Sequence, residues 1–218
     1  MSQRHRAVAI DGPAASGKST VAKRLAESLG LVMVNSGAMY RAVTWQVLQE
    51  EIDPADEAAV LAAMKEMEIS CGQENGLSTI AINGRSLTSE IRCAEVNAHV
   101  SKVASIPEIR EDLVAMQRAY LDQNDVVMEG RDIGSVVFPD TPFKLYISAS
   151  EEVRAARRAK DGEADAVARR DAEDSKRKAS PLKVADGAVV IDSSDLTVEE
   201  TVEAAREALV NLGWEDLK

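Results

Sequence analysis

The chain has 218 residues, room for one α/β domain with a sizeable insertion or for two small domains. Its 45% apolar and 29% charged residues are those of a globular protein, and an aromatic share of 3% requires a core built from Val, Ile, Leu, Ala and Met. A net charge of -11 argues against a protein that coats DNA or anionic membrane, and Cys71 and Cys93, without metal-ligand spacing, argue against a zinc site or a disulfide framework.

The N-terminus, Met1 to Arg6, runs straight into a first strand over 6–10, with no apolar segment long enough for a signal peptide or a membrane span. A cytoplasmic protein is therefore expected. The strand leads into Gly12-Pro13-Ala14-Ala15-Ser16-Gly17-Lys18-Ser19, a full match to G-x-x-x-x-G-K-[ST]. A loop of small residues turns its backbone N–H groups inward and forms an anion nest at the start of the next helix. Lys18 then reaches the β and γ phosphates of a nucleotide, and the Ser19 hydroxyl is placed to ligate Mg²⁺. Through Thr20 this stretch is the expected ATP site. The helix continues to about 29, with Val21, Leu25, Ala26 and Leu29 at helical spacing.

A second strand over 31–34 ends at Asn35-Ser36-Gly37 and completes a βαβ unit. A helix follows from about 38, and another after Asp53-Pro54 carries Val60, Leu61, Met64 and Met67 on one face. Residues 68–88 change character: Ile69, Ile80 and Ile82 alternate with polar residues around two hairpin turns, Glu74-Asn75-Gly76 and Asn83-Gly84. This reads as a small inserted β element. Helices near 93–104 and 107–122 come next, then strands over 125–129, 143–147 and 188–191, and a closing helix over 197–211 with Val198, Val202, Ala205 and Leu209 facing one way. Continuous apolar strands between helices imply a parallel sheet covered on both faces.

Polar groups stand at the carboxyl ends of these strands, where open parallel sheets bind ligands: Asn35-Ser36-Gly37, Glu129-Gly130-Arg131-Asp132 and Asp192-Ser193-Ser194. Neither N-K-x-D nor D-x-x-G is present, which removes the GTPases. Beyond the loop, Arg41, Arg92, Arg110, Arg131, Arg170 and Arg177 are forked donors suited to a second phosphate, so a kinase with a phosphate acceptor is indicated. Histidine acid–base chemistry is not, since His5 reads as a tail residue and His99 sits in no motif. The charged stretch 150–178 has two readings, a solvated helix face or a mobile basic lid. Ser36 is read as an N-cap of the next helix besides any ligand contact. Tyr40 reads as packing, and Asp132 either reads the ligand, caps the turn that follows or holds an arginine.

Four runs carry a more specific resemblance: Ala9-Ile10-Asp11-Gly12-Pro13, Ser36-Gly37-Ala38-Met39-Tyr40-Arg41-Ala42, Gly130-Arg131-Asp132-Ile133-Gly134-Ser135-Val136-Val137-Phe138-Pro139-Asp140 and Ser180-Pro181-Leu182. In order and over nearly the whole chain they resemble the bacterial cytidylate kinases. The resemblance implies a P-loop, adenylate-kinase-like three-layer α/β core with a five-stranded parallel sheet, over 1–62 and 105–218. It also implies a small nucleoside-monophosphate-binding insert at about 63–104, a short lid at about 150–170, and a monomer with no stable nucleic-acid or membrane partner. The implied reaction is ATP plus CMP or dCMP, with Mg²⁺, giving ADP and the diphosphate. On the family pattern Ser36, Arg41 and Arg131 hold the monophosphate, Ser101, Arg110 and Asp132 read cytosine, and Asp174 and Arg177 touch the ribose beside Arg170 at the lid hinge. Arg157 and Arg158 match the lid arginines over ATP. Tyr40, Arg92 and Gly130 complete the acceptor set, and Lys18, Arg131, Asp132 and Arg170 the catalytic one. The chain departs from the pattern at Asn35, where an acidic residue is expected, and in the short lid between Arg158 and Arg169. Kinases of another monophosphate or of shikimate, and a nucleotide-binding regulatory protein without transfer, are the rival readings.

Overall fold

The computed structural model describes residues 5–160 and 182–215. Five parallel strands form its centre: β1 (Ala7–Asp11), β2 (Val32–Asn35), β6 (Val126–Gly130), β7 (Lys144–Ser148) and β8 (Val189–Asp192), in the order β2-β6-β1-β7-β8. All five residues of β1 and of β6 are buried, as strands covered on both faces must be. Their side chains divide by period two. Val8 and Ile10 pack with Val21, Leu25, Ala205 and Leu209 of helices α1 (Lys18–Leu29) and α7 (Val198–Asn211), while Ala7 and Ala9 face Val114, Met128 and Ile133. The second layer comprises α2 (Ser36–Gln49) and α5 (Pro107–Ala119), joined by α3 (Glu57–Glu66) and α4 (Ala94–Val103) in one aliphatic cluster.

The sheet has eight strands rather than five, because the insert adds to its edge. The Asn-Gly pairs make the expected hairpins: Asn75 (φ 51) with Gly76, and Asn83 (φ 52) with Gly84, turn β3 (Ile69–Glu74) into β4 (Leu77–Ile82) and β4 into β5 (Arg85–Ser86). β4 meets β2 through the pair Met33 and Leu77.

A helix start and a buried helix face differ from the sequence expectation. Helix α2 begins at Ser36, because Asn35 rather than Ser36 is its N-cap and accepts from the Ala38 N–H at 3.1 Å. On α7, Val198 is exposed and Thr201 takes the buried place, its hydroxyl satisfied by the Thr197 carbonyl at 2.7 Å. Thr197 and Glu200 form a reciprocal capping box. Thr197→Ala is expected to lower stability by about 1 kcal/mol, seen as a lower urea midpoint at unchanged slope.

Behind α7, Trp214 is 1% exposed, stands edge-on to Phe143 at 4.7 Å between ring centroids and carries the Arg6 guanidinium 4.1 Å from its own. Arg6 and His5 both bond Asp125, so His5 ties the start of β1 to β6 instead of forming a loose tail. A second indole, Trp45 of α2, lies under Arg85 of β5 at 4.7 Å.

Candidate active site

Parallel register brings the carboxyl ends of β1, β2 and β6 together, with Asp11 beside Gly130 and Asn35 beside Glu129. A cavity of about 250 Å³ opens there. One wall is the loop after β1, where Ala15 (φ 60) and Gly17 (φ 89) take left-handed conformations that turn successive N–H groups to one side. Gly12 admits no side chain, since a Cβ would stand 2.1 Å from the Ile147 carbonyl oxygen.

Lys18 opens α1 and is 6% exposed. Its Nζ donates to the Pro13 carbonyl at 3.1 Å and lies 4.0 Å from Glu129 Oε2, while Ser19 Oγ donates to Glu129 Oε1 at 2.9 Å. Ala14, Ala15, Lys18 and Ser19 line the cavity. Ser16 is fully buried behind them, and Thr20 is exposed on the outer side of α1. Ser19 and Glu129 are hard oxygen donors beside the loop, the kind that Mg²⁺ accepts when most of its shell is phosphate and water, so these residues fit that ion.

The opposite wall belongs to Tyr40, Arg41, Ser101 and Arg110, with Gly130, Arg131 and Asp132 between the walls. Ser36 is held by donating to the Glu129 carbonyl at 2.8 Å, and a Cβ on Gly130 would approach Ser36 Oγ to 2.5 Å, so a glycine is required for that seat. Arg41 donates to Asn97 Oδ1 at 2.6 Å and to the Ile91 carbonyl at 3.1 Å, which fixes it from the insert side. Arg92 is exposed at the rim. Arg110 forms a buried ion pair with Asp132 through Nη2, donates to the Ala104 carbonyl at 3.0 Å through Nη1, and lies 5.3 Å over the Tyr40 ring. Tyr40 therefore both packs and lines the cavity.

Of the two lid arginines expected over ATP, Arg158 lines the cavity. Arg157 lies across the back of the loop, donating to the Ala15 carbonyl and to Ser193 Oγ and O at 3.4, 3.1 and 2.8 Å. Both belong to α6 (Glu151–Lys160). Arg170, Asp174 and Arg177 lie outside the described residues, as do Ser180 and Pro181.

Sequence reasoning placed Asp11 and Glu129 in runs of interest but gave neither a role, and both carboxylates are buried, 3% and 4% exposed. The available signal was an acid closing an otherwise apolar buried run. Asp11 accepts from the N–H groups of Ile133 and Gly134, each at 2.8 Å. Burial raises its pKa from 3.8 to about 6, an effect that these two bonds reduce without cancelling. Between those two values the folded chain keeps a proton that the unfolded chain has released. The contribution of Asp11 to stability is thus greatest below about pH 3.8 and is lost as the pH rises through about 6. Lowering the pH from 7 to 5 is expected to shift the stability difference between wild type and Asp11→Asn by ~1 kcal/mol toward wild type, measured by urea unfolding at both pH values.

The profile of the family described as cytidylate kinase matches residues 8–211. A cytidylate kinase of Caldanaerobacter subterraneus subsp. tengcongensis is 43% identical over 93% of this chain and 93% of its own, and one of Streptomyces avermitilis is 42% identical over 90% and 89%. Among solved structures, a gluconokinase from Sinorhizobium meliloti 1021 superimposes with a TM-score of 0.51 at 15% identity, covering 96% of this chain and 94% of that one, which is a likeness of fold alone. Matched along nearly its whole length by the family profile and by relatives at this level of identity, the chain belongs to the cytidylate kinase family.

Proposed function

We propose that the chain transfers the γ-phosphoryl group of ATP to the phosphate of CMP or dCMP. The observation that carries this reading is the buried Arg110–Asp132 pair beside Ser101, facing the phosphate loop across one cavity. Cytosine has an exocyclic amino donor where uracil has a carbonyl acceptor, so Asp132 accepts from cytosine and repels uracil, and Arg110 donates to the ring N3 and O2. A wrong base leaves these buried groups unsatisfied, which is the source of discrimination.

In the same reading Ser36, Arg41 and Arg131, with Arg92 at the rim, take the acceptor phosphate. Asp174 and Arg177 contact the ribose, Arg170 stands at the lid hinge, and Arg157 and Arg158 attend ATP. The insert at 63–104 and the lid at 150–170 close over the two substrates and exclude water.

The attacking oxygen of the acceptor phosphate is ionised at neutral pH, so transfer needs no general base. The work of the protein is to align two polyanions in line and offset their repulsion. Lys18 supplies charge at the β and γ oxygens from within the loop, and the arginines supply it on the acceptor side. Ser19, with Glu129 behind it, would hold the Mg²⁺ carried with ATP, and the ion would supply charge neutralisation to the donor phosphates there. Dependence on ATP and two free cysteines support a cytoplasmic setting; no described helix is long and apolar enough to cross a membrane.

The test is ADP release with ATP and Mg²⁺ against CMP, dCMP, UMP, AMP and shikimate, with each product weighed by mass spectrometry. Fast turnover restricted to CMP and dCMP is expected. Equal turnover of another acceptor removes the base-reading roles of Ser101, Arg110 and Asp132, and nucleotide binding without transfer identifies a regulatory protein instead.

A further inference from the structure

The turn that follows Asp132 has its capping group in an unusual place. Asp132 immediately precedes a π-helical turn, Ile133–Val137, where an aspartate ordinarily folds its own carboxylate onto the first free N–H groups. It makes no such bond, and its carboxylate goes to Arg110. The N–H groups of Ile133 and Gly134 are taken by the two oxygens of Asp11, at the end of the adjacent strand.

This arrangement carries a penalty. Asp11 is almost fully buried, and its desolvation opposes the charge that makes it a good double acceptor. The carboxylate of Asp132, one residue before the turn, stands at the position that ordinarily supplies this cap.

We propose that Asp11 is a positioning residue: by capping the turn at 133–134 in place of Asp132, it leaves the Asp132 carboxylate committed to Arg110 and the acceptor base. Because Asp11 directly precedes Gly12, one side chain ties the loop that grips the donor nucleotide to the turn that reads the acceptor. The specificity half of this inference rests on the reading of Asp132 given above.

Asp11→Asn keeps the shape but not the bonding. An amide accepts from one N–H and sets its own N–H groups against the other, so the turn is left with a donor for which Asp132, at the N-cap position, becomes the acceptor. In the full chain, Asp11→Asn is expected to lower the ratio of kcat/KM for CMP over UMP by ~10-fold, with KM for ATP within ~2-fold of wild type. The double variant Asp11→Asn with Asp132→Asn is expected to show no loss of that ratio beyond Asp132→Asn alone. A ratio unchanged in Asp11→Asn while Asp132→Asn collapses it overturns the proposal. So does an equal loss toward CMP, UMP and ATP, which describes a merely structural carboxylate.

Should Asp132→Asn itself leave the ratio untouched, the base reading of Asp132 is what fails, and positioning is then decided by a crystal structure of Asp11→Asn. The Asp132 carboxylate found on the Ile133 and Gly134 N–H groups supports the proposal; the same carboxylate still on Arg110 overturns it.

Discussion

With Lys18 replaced by methionine, kcat for phosphoryl transfer to CMP is expected to fall ~10³-fold or more while KM for CMP stays within ~3-fold. Lys18 Nζ is set between the Pro13 carbonyl and the Glu129 carboxylate at the mouth of the nest, and with 6% exposure its charge is weakly screened. That charge is needed most when it builds on the transferring oxygens. The groups assigned to CMP stand on α2, α4 and α5 and at 131–132, whereas Lys18 pairs with Glu129 on the side of the loop, so ground-state binding of CMP is spared. Methionine keeps the aliphatic stem in its slot and removes only the ammonium. Steady-state kinetics with both substrates varied makes the check. A rise in KM for CMP as large as the fall in kcat would move Lys18 to the acceptor side.

Arg110→Met is the second large effect, and it separates stability from recognition. The variant leaves Asp132 buried, 6% exposed, with its cation gone, and removing one partner of such a pair destabilises by about 3–5 kcal/mol. Arg110→Met with Asp132→Leu takes away both charges and fills the space with apolar atoms, so unfolding stability returns to within ~1 kcal/mol of wild type. Activity does not return with it: kcat/KM for CMP remains at least ~10²-fold down in both variants, because neither presents the donor–acceptor pattern that cytosine needs. Urea unfolding beside kinetics tests the two halves independently. Recovery of CMP turnover in the double variant would show that the pair only holds the core together.

Most of the fold was legible in the chain because its signals are local. Apolar runs bounded by turn residues located all five central strands, and the two Asn-Gly pairs located both hairpins of the insert. Helix starts were less legible. Asn35 and Ser36 are both good caps, and what decides between them is that Ser36 is engaged by the Glu129 carbonyl, 93 residues away in sequence. The same limit applies to the site. The loop at 12–20 is contiguous and announces itself, whereas the roles of Asp11 and Glu129 exist only through strand register. Asp132 had three readings from sequence, ligand reader, cap or arginine partner. The structure excludes the cap, because another residue occupies it, and supplies the arginine partner.

The low aromatic content has a practical consequence. The chain has two tryptophans, each against an arginine guanidinium and each in a different part of the molecule. Trp214 sits in the central core, so its emission follows global unfolding. Trp45 reads the distance from α2 to β5, and a shift of the insert that moves Arg85 off its ring changes the electrostatic field at that indole. Wild-type protein thus carries two intrinsic optical reporters. A Trp214→Phe variant leaves the one that watches the insert, and a Trp45→Phe variant leaves the one that watches the core.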